Sequence, residues 1–345
     1  MQSFPLSCNG PQALPMRLAP IYNLSLVLCI ALGSTACSHS KGPDQGPQEE
    51  NPKVQTVQAV APVYDGARAW KDMQHIVGMG PRPAGSATLE QLRFFLDAEL
   101  RKVNLEPVWE TFENVVPITA DTPAGKLTFT NLYADLISDL DPEAPLVMVA
   151  SHMDTKFLKD FVGANDAGSS TAAVLELARA ITASTQRSVS YRFIFFDGEE
   201  AVRPFWQDPD NTYGSRHHAH EFSKKAGFQK LKAVVLLDLV GDKDLRLSPD
   251  LNSTPWLRKL FDKAIIKGGY GKHLGARSQR LSDDHLPFRA LSIPVLDLID
   301  FEYGPDNRYW HSSDDTMDKC SEESLTAIGK MTLLGLKALS QRLVP

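Results

Sequence analysis

The chain has 345 residues, a net charge of −6 and 43% hydrophobic side chains. That is ample apolar material for one large core, although the length alone would accommodate two domains. No Lys/Arg-rich run is present, which argues against a nucleic-acid-binding face.

Taken in chain order, residues 1–37 read as a targeting segment rather than fold. Arg17 precedes the apolar stretch from Leu24 to Leu32, and small residues follow up to Cys37. This is a charged region, a short hydrophobic region and a small-residue cleavage zone, too short to span a bilayer comfortably. Met16 would serve equally well as its start. Gly33-Ser34-Thr35-Ala36-Cys37 resembles a bacterial lipobox, with Ser34 where leucine is usual. The expectation is an exported protein of the periplasm or cell envelope, lipid-anchored at Cys37; an ordinary cleaved secretory signal is the alternative. Residues 38–58, polar and rich in Pro and Gly, read as a flexible linker. Once the signal is removed only Cys37 and Cys320 remain, so a lipidated Cys37 leaves no intrachain disulfide.

From about Val60 onward, apolar strands alternate with amphipathic helices, which predicts a single α/β domain spanning residues 59–345. Leu89 to Val103 has helical spacing, and Leu127 to Leu136 carries a strand. Leu146 to Ala150 is a buried strand that delivers His152 and Asp154. Ser169 or Ser170 is expected to cap a helix running to about Ala183. Three further strands are predicted at Tyr191–Phe196, Ala233–Leu239 and Ile293–Ile299. Gly268 to Lys272 follows a helix and lacks the spacing of a phosphate loop, so it reads as an ordinary loop. The last helix begins at Ser321, with Glu322 and Glu323 placed to favour its dipole.

Glu199 and Glu200 close the apolar run Tyr191–Phe196. Adjacent carboxylates at the end of a core strand cost stability unless a positive charge neutralises them. Their side chains diverge, so one can hold a metal while the other stays free to carry protons. Taken alone, the pair also reads as two solvated glutamates. It has company: His152, Asp238 and Asp297 lie at or near other strand ends, where ligands bind in open α/β sheets. Asp154, Asp166, Asp283, Asp284, His285 and His311 complete the candidate set. Two carboxylates and one imidazole make a nearly neutral zinc site with an open position, and Asp166, Glu200 and His311 supply them. Glu199 is then the free acid/base. The run His217-His218-Ala219-His220 reads as a polar helix face.

The chain resembles the M28 zinc-peptidase family and, within it, the glutaminyl cyclases. The motifs are Gly80-Pro81-Arg82-Pro83, Ser151-His152-Met153-Asp154-Thr155-Lys156, Gly163-Ala164-Asn165-Asp166, Asp197-Gly198-Glu199-Glu200-Ala201, Leu237-Asp238-Leu239, Asp283-Asp284-His285-Leu286-Pro287-Phe288 and Trp310-His311. The resemblance implies a twisted, mixed β-sheet flanked by helices, with one Zn²⁺ on Asp166, Glu200 and His311. It implies that Glu199 moves a proton from the α-amine of an N-terminal glutamine to departing ammonia, on peptide or protein N-termini. It implies further that Asp238 and Asp283 form a hydrogen-bonded acidic pair orienting the substrate, with Trp310 and Trp206 lining its pocket. Asp297 stands where animal cyclases carry histidine, and it changes the charge of that acidic network.

The same fold supports a two-zinc aminopeptidase. There Asp166 would bridge the metals, His152 and Asp238 would join as ligands, and Asp154 would orient His152. An inactive binding domain would be marked by loss of a ligand or of the base, and neither loss is visible.

Overall fold

The computed structural model describes residues 59–345, which fall within one compact unit. The expected signal segment, lipid anchor and linker lie outside the described residues. The elements run α1 (Gly66–Gly78), α2 (Ala87–Arg101), β1 (Val108–Val115), β2 (Lys126–Leu136), β3 (Leu146–His152), α3 (Ser170–Thr182), β4 (Ser190–Phe196), α4 (Tyr213–Ser223), β5 (Leu231–Asp238), α5 (Pro255–Lys267), α6 (Leu286–Ala290), β6 (Val295–Ile299) and α7 (Glu322–Leu343). No described helix is long and apolar enough to cross a membrane.

The six strands form one mixed sheet in the order β1-β2-β4-β3-β5-β6. The pairs β1/β2 and β2/β4 are antiparallel, while β4/β3, β3/β5 and β5/β6 are parallel. Every residue of β3, β4 and β6 is buried, which is why these strands read as continuous apolar runs. Successive side chains nevertheless go to opposite faces. Val147, Val149, Phe193, Phe195, Val235 and Leu237 pack in the large core with α1, α2, α3, α5 and α7. Met148, Ala150, Ile194, Phe196, Val234 and Leu236 pack in a second core with α4 and α6. Burying each large apolar side chain contributes roughly 1.5–3 kcal/mol, so both faces hold the sheet rigid under the site.

The caps follow sequence. Asp65 accepts from the Arg68 N–H, Ser86 from Leu89 and Ser321 from Ser324, each at the start of its helix. The expected cap of α3 is different. Ser169 already has helical backbone angles and its side chain makes no cap bond. Its hydroxyl instead donates to the Asn165 carbonyl at 2.7 Å and accepts the Val240 N–H at 3.1 Å. A π-helical turn, Ala164–Ser169, leads into the helix in place of a cap. Three elements are not foreseen from sequence: α1, the short α6, and β1, a mostly exposed strand at the sheet edge without clean alternation.

Candidate metal centre and active site

The parallel strands aim their carboxyl ends at one region. There β3 ends on His152, β5 ends on Asp238, and the turn after β4 carries Glu199 and Glu200. That turn is tightly held. Asp197 accepts the Thr130 N–H at 2.7 Å and pairs with Arg93 at 2.8 Å. Gly198 has φ 69°, and a Cβ there would stand 2.4 Å from the Phe129 ring, so only glycine fits. The carboxylate of Asp154 then accepts both following amides, Glu199 N–H at 3.1 Å and Glu200 N–H at 3.2 Å. The two glutamates thus leave a fixed backbone in divergent directions.

Glu200 Oε1 lies 3.1 Å from His311 Nε2, and Asp166 Oδ2 lies 3.3 Å from the same nitrogen. Ligand atoms held by one tetrahedral zinc at about 2.0–2.1 Å are separated by about 3.3 Å, so this donor set fits such an ion. The three side chains are among the groups whose atoms all approach within 4.8 Å. The other Glu200 oxygen, Oε2, meets the ammonium of Lys156, 2% exposed, at 3.3 Å. Charge explains the titration of the histidine: burial disfavours its cation, yet Glu200 and Asp166 outweigh this and push it up to about 9.

A second group, His152, Asp166 and Asp238, shares Asp166 with the first. His152 Nε2 stands 3.2 Å from Asp166 Oδ1 and 3.2 Å from Asp238 Oδ1. Asp166 therefore presents one oxygen to each histidine. As the aminopeptidase reading expects, His152 Nδ1 faces Asp154 Oδ1, at 3.6 Å, an ion-pair contact longer than a hydrogen bond. The same Asp154 carboxylate accepts the two glutamate amides, so it also holds the Glu199–Glu200 turn.

Glu199 is 7% exposed and its side chain makes no hydrogen bond among the described residues. Burial raises it well above the usual carboxylate range; His152 opposes this, while Asp283, Glu200 and Asp284 add to it. Asp283 is pushed up to about 7 by burial and by Asp238. No direct hydrogen bond joins Asp238 to Asp283 among the described residues. Asp238 meets His152, and Asp283 Oδ1 accepts the Asp284 N–H at 2.6 Å while Oδ2 has no partner. The acidic pair is thus coupled through its field rather than a shared bond. Asp297 faces His285, Nδ1 to Oδ2 at 3.8 Å, and His285 Nε2 faces Asp250 at 3.3 Å. Burial and then Asp283 hold Asp297 well above the usual range.

These raised carboxyls carry a signed prediction. Asp197, Asp283 and Asp300 each sit at about 7, raised from 3.8 chiefly by burial. The folded state therefore binds more protons than the unfolded chain between about pH 4 and 7, and stability falls as pH rises through that window. Asp250 and Glu110, held down at about 2, act mostly below this window; His217, His218 and His273, lowered by burial, oppose the trend in its upper part, but the larger shifts of the carboxyls, Asp315 among them, set the sign. The melting temperature of the metal-free protein is expected to be at least ~4 °C lower at pH 8 than at pH 5 by calorimetry. A rise across this range would contradict the upward shift of these carboxyls by burial.

Trp310 stacks on His311 with centroids 4.0 Å apart and meets Phe301 edge-on at 5.0 Å, forming a wall beside the centre. Trp206 is half-buried, and its indole N–H has no hydrogen-bond partner among the described residues. His218 departs from the expected polar face: it is fully buried, 2.7 Å from Glu110 and 3.1 Å from Arg192. His217 stacks on Phe112, and His220 is exposed beside Glu221. Sequence reasoning missed Asp250 and Asp315, both buried, because an isolated acidic residue in a loop signals nothing by itself.

Comparison with known proteins identifies the family. Residues 131–335 match peptidase family M28. A mouse protein named glutaminyl-peptide cyclotransferase-like protein is 33% identical, over 68% of this chain and 66% of that protein. The alignment thus spans just under two thirds of the mouse protein's own length. The crystal structure of an Acidobacteriales bacterium glutaminyl cyclase is 30% identical, with a TM-score of 0.75 over 87% of this chain and 100% of that one. A Zn-dependent exopeptidase from Parabacteroides distasonis shares the fold, with a TM-score of 0.68 at 24% identity over 79% of this chain and 98% of that one. The chain belongs to peptidase family M28, and it has relatives there that carry the name glutaminyl cyclase.

Proposed function

We propose that this protein cyclises the N-terminal glutamine of peptides to pyroglutamate and releases ammonia, with one zinc ion held by Asp166, Glu200 and His311. The similarity to named cyclases along the whole of a solved chain supports the reaction. The observation that carries the chemistry is the buried, unbonded carboxyl of Glu199, held one residue from Glu200 on amides that share Asp154.

A zinc ion there would act as a Lewis acid on the substrate γ-carbonyl and offset the negative charge that develops on its oxygen. The α-amine nitrogen attacks the γ-carboxamide carbon, one C–N bond forms, and the bond to the amide nitrogen breaks. Glu199 takes the proton from the attacking nitrogen and gives it to the departing one, so its carboxyl ends in the state in which it began. A raised carboxyl suits this exchange, because it is a stronger proton acceptor than an ordinary carboxylate. In this reading the free oxygen of Asp283 receives the substrate amine, with Asp238 adding its charge, and Trp310 forms a pocket wall. Trp206 would complete that pocket, and Asp297 tunes the acidic network through His285.

One observation favours a second reading. His152, Asp166 and Asp238 converge as a further ligand set, which would suit a two-zinc aminopeptidase. Incubation with Gln-Ala and Ala-Ala separates the two. The cyclase reading expects ammonia from Gln-Ala with the Gln–Ala peptide bond intact, and no reaction with Ala-Ala. Free alanine from either dipeptide would overturn it.

A further inference from the structure

Asp315 stands four residues after His311 and is fully buried. Its carbonyl accepts the Ala164 N–H at 3.3 Å, its Oδ1 the Asn165 N–H at 2.8 Å, and its Oδ2 the Asp166 N–H at 3.1 Å. Three successive amides of the π-helical turn therefore end on one residue. The Tyr303 hydroxyl also donates to Oδ1, at 2.7 Å.

The turn has need of such an acceptor. It opens on Gly163 at φ 53°, and Asp166 and Ala167 depart from helical backbone angles, so the turn's geometry is irregular where Asp166 leaves the chain. Gly163 admits no side chain, because a Cβ would come within 2.0 Å of the Asp166 carbonyl. The far side of the turn is anchored separately, where Asn165 Oδ1 accepts the Gly241 N–H at 2.7 Å just beyond β5. Asp315 is thus the clamp between two separate stretches of chain, one bearing Asp166 and the other bearing His311. The carboxylate of Asp166 reaches His311 Nε2 across this clamp at 3.3 Å.

We propose that Asp315 is a positioning residue for the metal centre, setting the separation of Asp166 from His311 and hence zinc affinity without touching the ion. This rests on the reading that Asp166, Glu200 and His311 hold zinc. Chemistry restricts the role to a carboxylate. Three donors converge on its two oxygens, whereas asparagine offers one oxygen and would turn its own N–H₂ toward a donor. An unpaired buried N–H is costly, and here the cost falls on the amide of the ligand residue itself.

The test is chelator competition for zinc by the full chain, comparing wild type with Asp315→Asn, Tyr303→Phe and Glu200→Ala, with melting curves of each metal-free protein alongside. Asp315→Asn is expected to bind zinc ~10–100-fold more weakly, as loss of a residue behind a ligand does elsewhere. Tyr303→Phe, which removes one of the three donors but leaves both amide bonds, is expected to lose affinity by a smaller factor of about 3. If Asp315→Asn melts earlier yet binds zinc within twofold of wild type, Asp315 merely supports the fold and the proposal fails. If Asp315→Asn does not fold, an unchanged affinity in Tyr303→Phe overturns the proposal instead. Zinc bound equally by Glu200→Ala and wild type would show that the ligand set itself is wrong; its loss there alone would isolate the failure to Asp315.

Discussion

Glu199→Gln is expected to retain zinc at the wild-type level while losing turnover by ~10³-fold, within the ~10²–10⁴ range of general acid–base catalysis. The substitution preserves the shape of the side chain and leaves the backbone amides of residues 199 and 200 on Asp154. Glu200, Lys156 and His311 therefore keep their places. What disappears is a carboxyl that can gain and lose a proton, in a buried position where no other described side chain hydrogen-bonds to it. Ammonia release from a glutamine-initiated peptide, measured beside zinc content, separates the two effects. Substantial remaining activity with bound zinc would remove Glu199 from the role of proton carrier.

The neighbouring substitution is expected to fail in the opposite way. Glu200→Ala should weaken zinc binding by well over ~100-fold, because it deletes a direct ligand rather than a residue supporting one. It removes the oxygen that lies 3.1 Å from His311 and leaves only Asp166 and His311 in the set. It also strands the Lys156 ammonium, whose other contact is the Ala201 carbonyl at 3.3 Å, in a nearly closed environment. A buried charge without its partner destabilises strongly, so the variant should melt earlier as well. Metal analysis after dialysis, together with a melting curve, checks both expectations. Retention of stoichiometric zinc would exclude Glu200 as a ligand.

The opposite behaviour of adjacent residues reflects the turn that carries them. A strand buried on both faces ends abruptly at Asp197, Gly198 supplies a left-handed step, and Asp154 receives the next two amides. Neither glutamate can drift toward the other's position without breaking one of these restraints. The single chain segment thereby holds in fixed relation the two carboxyls to which we assign the metal and the proton.

Much of this arrangement is legible in the amino-acid sequence. The central strands are buried on both sides, so their residues form unbroken apolar runs, and carboxylates or imidazoles that end such runs stand out. His152, Glu199, Glu200 and Asp238 are visible for that reason. Strand β1 is not, because a mostly exposed edge strand needs neither an apolar run nor strict alternation. His218 misleads for a related reason. Beside two other histidines it looks like a solvated face, whereas Glu110 and Arg192 from other elements make its burial tolerable.

The sequence by itself determined the sheet-and-helix architecture and the inventory of acid, imidazole and glycine around the site, because both follow from local burial and side-chain chemistry. Tertiary structure alone decided the pairings: Asp154 with the two glutamate amides while it also faces His152, and Asp315 with three amides of the Asp166 turn. The reason is physical. A carboxylate can accept any nearby N–H, and which one it meets depends on how loops separated by up to 150 residues are brought together over the end of the sheet.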